Sequence, residues 1–352
     1  MKKGWQEKSV GDILQLEYGK PLDESDRKPN GRYPVYGANG EKDRTDKFYH
    51  DKPSIIVGRK GSAGEVNLTE KKFWPLDVTY FVTFDEKQHD LQFLYYLLTT
   101  LELTKLAKGV KPGINRNEVY SQTTRVPPLA EQQRIVGLLD EAFEGLATAK
   151  ANAEKNLQNA RALFESHLQS VFTQRGPGWV EKNLGDLCQI KTGKKDVNEG
   201  NPDGKYPFFT CAAAHTFSDN YSFDTEALLV AGNGNVGQVS YYSGKFEAYQ
   251  RTYVLFDFKD VTAKYLFRVL DKRLSATVSK QKLGNTMPYI KIGMLTDFVV
   301  PVPPPKEQEL VAESLGAIAE ETQRLARLYE RKHAALEALK KSLLHQAFTG
   351  AL

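Results

Sequence analysis

The chain is written twice. Trp5 to Lys20 reads WQEKSVGDILQLEYGK and Trp179 to Lys194 reads WVEKNLGDLCQIKTGK, an offset of 174 (179 − 5). Further along, YPVY from Tyr33 is echoed by YPFF from Tyr206, and IIVGRKGSAGEV from Ile55 by LLVAGNGNVGQV from Leu228. The halves also close alike: PPLAEQQRIV from Pro127 answers PPPKEQELV from Pro303, and SHLQSVFT from Ser166 answers SLLHQAFT from Ser342. Solenoid units are about 20–50 residues long, so a repeat of this length is a duplicated domain plus a helix. Two copies in one chain predict a pseudo-two-fold molecule that meets a roughly two-fold partner, or two copies of one partner.

The 352 residues, 40% hydrophobic and 26% charged, are ordinary globular material for two or three domains. A net charge of +4 is compatible with nucleic acid but equally with a solvated surface. Cys188 and Cys211 fall where the other half has Leu14 and Ala38, without a Cys-x-x-Cys spacing. They read as small core thiols in a reducing compartment, not as a zinc site or a disulfide framework. No signal peptide opens the sequence, and no run of about 18 apolar residues could span a bilayer. These features predict a soluble cytoplasmic protein with no membrane partner.

Four segments follow from texture. Residues 1–128 are rich in Gly, Pro, Tyr and Phe, with short apolar runs at Ser54–Val57, Val78–Phe84 and Gln122–Val126. That pattern predicts short strands, with one helix over Leu91–Leu106. Residues 129–173 lack proline and are dominated by Ala, Leu, Glu, Gln and Lys, so they predict a long helix entered at Pro127-Pro128. Residues 174–304 repeat the strand-rich texture, and residues 305–352 repeat the helix. A helix of roughly 44 residues would be about 65 Å long at 1.5 Å per residue, which calls for a partner helix.

The apolar pattern supplies that partner. In the second helix Leu315, Tyr329, Leu336 and Leu343 share one seven-residue ladder, interrupted by Thr322. Val311, Ile318, Leu325 and Leu339 fall on another. Ile135, Leu139, Ala142, Leu146, Ala149, Ala153, Ala160 and Leu163 are the equivalents in the first helix. This is a 3.5-residue coiled-coil seam. The expected fold class is therefore α+β: two β-rich domains separated by an antiparallel pair of long coiled-coil helices. The alternative is that each helix packs on its own β domain.

Several motifs mislead. Gly232-Asn-Gly234-Asn-Val-Gly237 matches a dinucleotide fingerprint, but the following QVSYYSG is a strand-and-turn sequence with no helix to meet a pyrophosphate. The other half has Gly58-Arg-Lys-Gly61-Ser-Ala-Gly64 in that place. A glycine-rich turn between strands, able to bring backbone close to a ligand, is the better reading. The chain has neither a phosphate-loop motif nor the Asn-Pro-Pro-aromatic tetrad of an amino-methylating enzyme, and its histidines show no metal spacing. Catalytic, cofactor-binding and metal-binding residues are therefore all predicted to be absent.

Basic, amide and aromatic side chains gather instead in polar loops at corresponding places. The first copy offers Lys20, Arg27, Arg44, Arg59, Lys60, Lys111, Asn115 and Arg116. The second offers Lys194, Lys195, Asn233, Asn235, Arg251, Lys282 and Asn285, with Lys205 and Lys245 nearby. Arg and Lys bind phosphates or reach guanine N7/O6, and Asn pairs with adenine N6/N7. These residues are the candidate DNA contacts.

The pattern resembles the specificity subunit of type I restriction-modification enzymes. Each half opens with W-x-x-x-x-[LV]-G-D-[IL] and enters its helix through apolar-Pro-Pro-x-x-Glu-Gln, at Val126–Val136 and Val302–Val311. The chain departs from the family pattern where KGVKPGIN at Lys108–Asn115 is answered by Gly284-Asn-Thr-Met-Pro-Tyr-Ile-Lys. The resemblance implies a non-catalytic reader of double-stranded DNA, each β domain contacting half of a bipartite site, the helices fixing the gap. It also implies docking of two methyltransferase subunits, for which Glu131, Gln132, Glu307 and Gln308 of the repeated junctions are the candidates, together with restriction subunits. S-adenosylmethionine, ATP and magnesium would belong to those partners and none to this chain. A DNA-binding scaffold without sequence readout is the alternative function.

Overall fold

The computed structural model describes residues 4–173, 175–279, 283 and 288–352. The chain forms two compact units: Met1–Glu154 with Glu330–Leu352, and Lys155–Tyr329.

The first unit holds β1 (Gln6–Ser9), β2 (Gln15–Tyr18), β3 (Tyr33–Gly37), β4 (Gly40–Thr45), β5 (Ser54–Gly58), β6 (Val66–Thr69), β7 (Trp74–Pro75) and β8 (Thr79–Thr83). They are followed by α1 (Leu91–Thr100), α2 (Arg116–Tyr120), β9 (Thr123–Val126) and the start of α3 (Leu129–Thr173). Its sheets run β2-β8-β5-β6 and β4-β3-β7, and β1 pairs antiparallel with β9. The fully buried Ser54–Val57 stretch of β5 is the central apolar run expected from the sequence.

The second unit holds β10 (Val180–Asn183), α4 (Leu184–Leu187), β11 (Gln189–Thr192), β12 (Tyr206–Phe209), β13 (Thr216–Ser218), β14 (Phe223–Ala231), β15 (Val239–Ala248) and β16 (Thr252–Phe256). Then come α5 (Ala263–Ser279), α6 (Ile292–Thr296), β17 (Val299–Val302) and the start of α7 (Pro305–Thr349). One sheet runs β11-β16-β14-β15-β12-β13, with β10 paired to β17. The topology repeats that of the first unit, except that the single strand β15 stands for both β6 and β7. Its parallel contact Phe208↔Glu247 answers Val35↔Trp74. As expected, the glycine-rich segment at Gly232–Gly237 leads into a strand and not a helix.

The helix expected over Leu91–Leu106 stops at Thr100. Glu102 takes a left-handed conformation (φ 47°) and a short 3-10 turn follows at Leu103–Leu106. The glycine loop packs closely on this turn: a Cβ on Gly64 would lie 2.4 Å from the Leu103 carbonyl carbon. In the second unit Gly237 presses on Ser275 in the same way, yet α5 continues to Ser279.

Helices α3 and α7 are each 45 residues long. In the first unit Ile135, Leu139 and Phe143 of α3 share a core with Leu343, Ala347 and Phe348 of α7. In the second, Phe164, Leu168 and Phe172 of α3 share a core with Val311, Leu315 and Ile318 of α7. The start of one helix meets the end of the other in both units, so the pairing is antiparallel. Both cores also contain β-domain residues such as Val10, Leu14 and Ile55, or Leu184, Leu228 and Leu255. Each helix thus packs on its partner and on a β domain. Leu163 and Leu339, expected on the seam, are 71% and 46% exposed. The seam steps from Ala153 through Leu157 and Ala160 to Phe164, which turns Leu163 outward.

Among the described residues no helix is long and apolar enough to cross a membrane, and no group of three His, Cys, Asp or Glu could hold a metal ion. Cys188 is buried, which pushes its thiol up to about 12, and Cys211 is half-buried.

Candidate nucleic-acid interface

Each unit builds the same pair of loops. In the first, the Gly61 amide donates to the Pro112 carbonyl at 2.8 Å and the Ile114 amide to the Arg59 carbonyl at 3.0 Å. In the second, Gly234 donates to Pro288 at 3.1 Å and Ile290 to Gly232 at 2.9 Å. The second loop is closed on itself by reciprocal backbone bonds, Lys108 with Gly113 at 3.0 Å and Leu283 with Tyr289 at 3.0 and 2.9 Å. A buried tyrosine pins each pair from below: Tyr80 donates to the Ile114 carbonyl at 3.4 Å and Tyr253 to the Ile290 carbonyl at 3.0 Å. Burial raises the pKa of both phenols, so they stay protonated donors.

The glycines are needed at the tips. Gly61 and Gly234 sit at φ +82° and +61°, and a Cβ at either position would meet nothing within 4 Å. The backbone there is open to an approaching ligand, at a conformation costly for other residues.

Side chains on this shared frame diverge. In the first unit the Arg59 and Arg116 guanidinium carbons lie 5.3 and 5.0 Å from the ring centroid of Tyr18, itself 46% exposed. Arg59 Nε donates to the Asp77 carbonyl at 3.0 Å and Arg116 Nη1 to the Leu16 carbonyl at 3.4 Å. Stacking and a backbone anchor hold each planar fork before any ligand arrives, which lowers the entropy lost on binding. Lys60 and Lys111 are exposed on the two joined loops. Asn115 caps α2, its Oδ1 accepting from the Asn117 amide at 2.9 Å. Five of the sequence-predicted residues are thus brought together.

In the second unit the equivalents of Tyr18, Arg59 and Arg116 are Thr192, Gly232 and Ile292, so that arginine stack has no counterpart. Asn235 is exposed beside the tip, while Asn233 is buried and bridged to Tyr289. Lys291 takes the helix-cap place of Asn115 and is exposed. It escaped the sequence reading, although Pro288-Tyr-Ile-Lys291 set against Pro112-Gly-Ile-Asn115 carries the signal. Lys282 and Asn285 lie outside the described residues.

Other predicted contacts brace the β domains. Arg27 pairs with Asp43 at 3.7 Å. Arg44 donates to Gly31 at 2.7 Å, Glu41 at 2.9 Å and Arg32 at 3.1 Å, tying down the β3–β4 hairpin. Lys195 neutralises buried Glu247 at 3.8 Å and donates to Ser218 at 3.3 Å. Lys20 lies over the Tyr49 ring at 4.9 Å, and Lys194 is exposed. Arg251 serves through its backbone, its carbonyl accepting from the Gly232 amide at 3.0 Å.

The Pro-Pro-x-x-Glu-Gln junctions have a structural explanation that corrects the docking expectation for two residues. Gln132 is buried: its Oε1 accepts from the Asp90 amide at 2.9 Å, and its Nε2 donates to the Gln88 and Pro127 carbonyls at 3.0 and 2.9 Å. Gln308 repeats this, accepting from Thr262 at 2.8 Å and donating to Asp260 and Pro303 at 2.8 and 3.0 Å. These glutamines strap the first helical turn to the loop before α1 or α5, and have no atoms left for a partner subunit. Glu131 and Glu307 stay half-exposed, bonded to Arg134 at 2.7 Å and to Trp179 Nε1 at 2.9 Å.

The family described as type I restriction modification DNA specificity domain matches residues 2–157 and again 177–330. The type I restriction enzyme EcoDI specificity subunit of Escherichia coli is 36% identical over 174 residues, covering 49% of this chain and 38% of that one. That match spans well under half the length of the relative. The MjaVIII specificity subunit of Methanocaldococcus jannaschii is 22% identical, covering 98% of this chain and 92% of its own. Among solved structures, a chain from work on complex assembly and conformational transition of the type I R-M system superposes with a TM-score of 0.80 at 18% identity, covering 100% of this chain and 99% of that one. The HsdS subunit from Thermoanaerobacter tengcongensis gives 0.63 at 18% identity, covering 100% and 98%. Two matched copies, one on each pair of glycine loops, place this chain in the family of type I restriction-modification DNA specificity proteins.

Proposed function

We propose that each unit reads one half of a bipartite, asymmetric double-stranded DNA site through its joined loops. The observation that carries this reading is the repeated backbone frame with unlike side chains: Gly61–Pro112 and Gly234–Pro288 repeat the bond, while Arg59 and Arg116 give way to Gly232 and Ile292. A constant frame presents the variable groups to the DNA in equivalent positions. Unlike groups then select unlike bases.

Helices α3 and α7 fix the unread gap between the half-sites, and their repeated surfaces dock two methyltransferase subunits. Those subunits bring S-adenosylmethionine and extrude the target base. Restriction subunits with ATP and magnesium complete the complex, and this chain contributes recognition and not chemistry. The repeat of the helix starts, Glu131 with Glu307, supports two equivalent docking places.

The reading is tested by replacing residues 174–304 with the corresponding domain of another family member and sequencing the methylated sites of the assembled complex. One half-site changes while the other and the gap stay fixed. A change in both halves, or in neither, contradicts modular reading. Adding one or two helical turns after Leu146 tests the gap in the same assay, and an unchanged gap removes the helices as its determinant.

A further inference from the structure

A second feature is repeated in both units, and in chemistry as well as in frame. In the first unit Arg32 lies over the Tyr33 ring at 5.8 Å, Tyr33 meets Phe48 edge-on at 5.3 Å, and Lys72 Nζ lies over Phe48 at 4.5 Å. In the second, Lys205 lies over Tyr206 at 5.6 Å, Tyr206 meets Tyr221 at 4.9 Å, and Lys245 Nζ lies over Tyr221 at 4.6 Å. All four pairs are 173 residues apart (205 − 32). Each quartet is drawn from three separate stretches of chain, so a single shared motif does not account for it.

Some neighbours are held, Gly31 with Gly204, Pro34 with Pro207, Asp46 with Asp219 and Phe73 with Phe246, but others are not. Lys47 becomes Asn220, Tyr49 becomes Ser222, Lys71 becomes Gly244 and Trp74 becomes Glu247. Nor are the outer rings absorbed by packing: Phe48 is 44% and Tyr221 42% exposed. A cation over an exposed ring is held only weakly, but the contact lays its stem along the ring and favours one place for its charge. Asp46 in the first unit is shared between Arg32 at 3.7 Å and Lys28 at 3.0 Å, so it does not neutralise Arg32 alone. In the second unit Asp219 is engaged by Asn201 at 3.1 Å, and Asp224, the cross-strand partner of Lys245, offsets part of the charge there.

The quartets flank the small cores along the chain: Tyr33 shares β3 with Val35, and Lys72 and Lys245 directly precede Phe73 and Phe246. Those cores contain no described residue of α3 or α7, whereas the main cores do. The surface is therefore part of the β domain and not of the helix pair. It is also tied to the reading loops through the chain: the Lys20 amide donates to the Pro75 carbonyl at 2.8 Å, directly after Tyr18 and Gly19.

We infer that Arg32–Tyr33–Phe48–Lys72 and Lys205–Tyr206–Tyr221–Lys245 are equivalent clamps for the DNA sugar-phosphate backbone, one beside each half-site. The inference rests on the proposed reading of DNA by the loops. Cations flanking a flat ring suit phosphate oxygens on either side of a deoxyribose face. The backbone is the one part of DNA that is chemically identical at two unlike half-sites, so a clamp for it keeps its residues while the reading loops change theirs.

The test is anisotropy of the full chain on a random-sequence duplex across a salt series. Arg32→Ser with Lys72→Ser, and separately Lys205→Ser with Lys245→Ser, each lowers the slope of log K against log salt by about 1.8, at about 0.9 per phosphate lost. Between 50 and 200 mM salt, the affinity loss shrinks by about tenfold in each case. Arg32→Lys with Lys72→Arg keeps the wild-type slope, and so does removing equal charge from α7 by Lys306→Ser with Lys332→Ser. A wild-type slope in either clamp variant overturns the inference. If the variants bind DNA normally but fail to assemble with methyltransferase subunits, the patch meets protein and the inference is again overturned. Loop reading is scored separately, by whether the wild-type chain in its assembled complex selects a bipartite sequence from a random pool; its failure leaves the clamp slopes standing.

Discussion

The guanidinium of Arg116 lies 5.0 Å from the ring centroid of Tyr18, and Arg59 lies 5.3 Å from the same ring. Tyr18 therefore sets the position of two forks that suit the N7/O6 edge of guanine. Tyr18→Ala removes the stack and leaves each arginine on one backbone bond, and base discrimination at the first half-site falls by about 1–3 kcal/mol. Arg59→Lys has a similar effect, because an ammonium cannot present two parallel donors. Sequence selection from a random pool checks both variants, and preferences at the second half-site stay as they were. Uniform weakening across all sequences would reassign these arginines to phosphate.

Gln132 and Gln308 are predicted to act on stability and not on assembly. Changing either to Ala leaves one buried amide and two carbonyls without their partner, a loss of about 2–4 kcal/mol. Urea denaturation of the full chain reads it, and complexes formed well below the transition keep their stoichiometry. A loss under about 0.5 kcal/mol together with failed assembly would return these residues to a docking surface.

His89 ties the same junction to pH. Gln132 Nε2 is a donor that cannot accept, so its 3.4 Å contact with His89 Nδ1 is favourable only when that ring nitrogen is unprotonated. Burial, then the charge of Lys8, lowers the pKa of His89 below the ordinary imidazole value of about 6.5. The unfolded chain thus takes up this proton at a higher pH than the folded one. The stabilisation is complete above about 6.5 and is lost as pH falls from there through the lower folded pKa. Denaturation midpoints between pH 7.5 and 5 should fall more for the wild type than for His89→Gln. Parallel profiles would show that His89 is not the titrating group.

The helix seam gives a paired prediction. Phe164 is buried in the second unit's core and Phe164→Ala costs about 3–5 kcal/mol, whereas neighbouring Leu163→Ala changes stability by no more than about 0.5 kcal/mol. Equal costs for the two would mean that the seam runs through Leu163 after all.

Much of the architecture was legible because it rests on local rules. The prolines before Leu129 and after Val302, the alanine-rich runs and the glycine turns each act within a few residues, and the doubling let one half check the other. What escaped depends on distant partners. The turn after Glu102 is packed against Gly64, about 40 residues away, and Gln132 is buried by a loop 42 residues away. The quartets join residues from three chain segments, and the backbone bonds that match Pro288 to Pro112 give Lys291 the place of Asn115. Arg27, Arg44 and Lys195 looked like free cations in sequence, and their carboxylate or carbonyl partners could be found only in space.

The central claim is that unlike loops on one frame read the two halves independently. It is tested most directly by selecting sites from a random duplex pool with the assembled complex carrying either Arg59→Ala or Asn235→Ala. The account predicts a reciprocal result: the first variant relaxes preferences in one half-site only, the second in the other half-site only. If both variants alter the same half, or if each weakens binding to every sequence equally, the claim is contradicted.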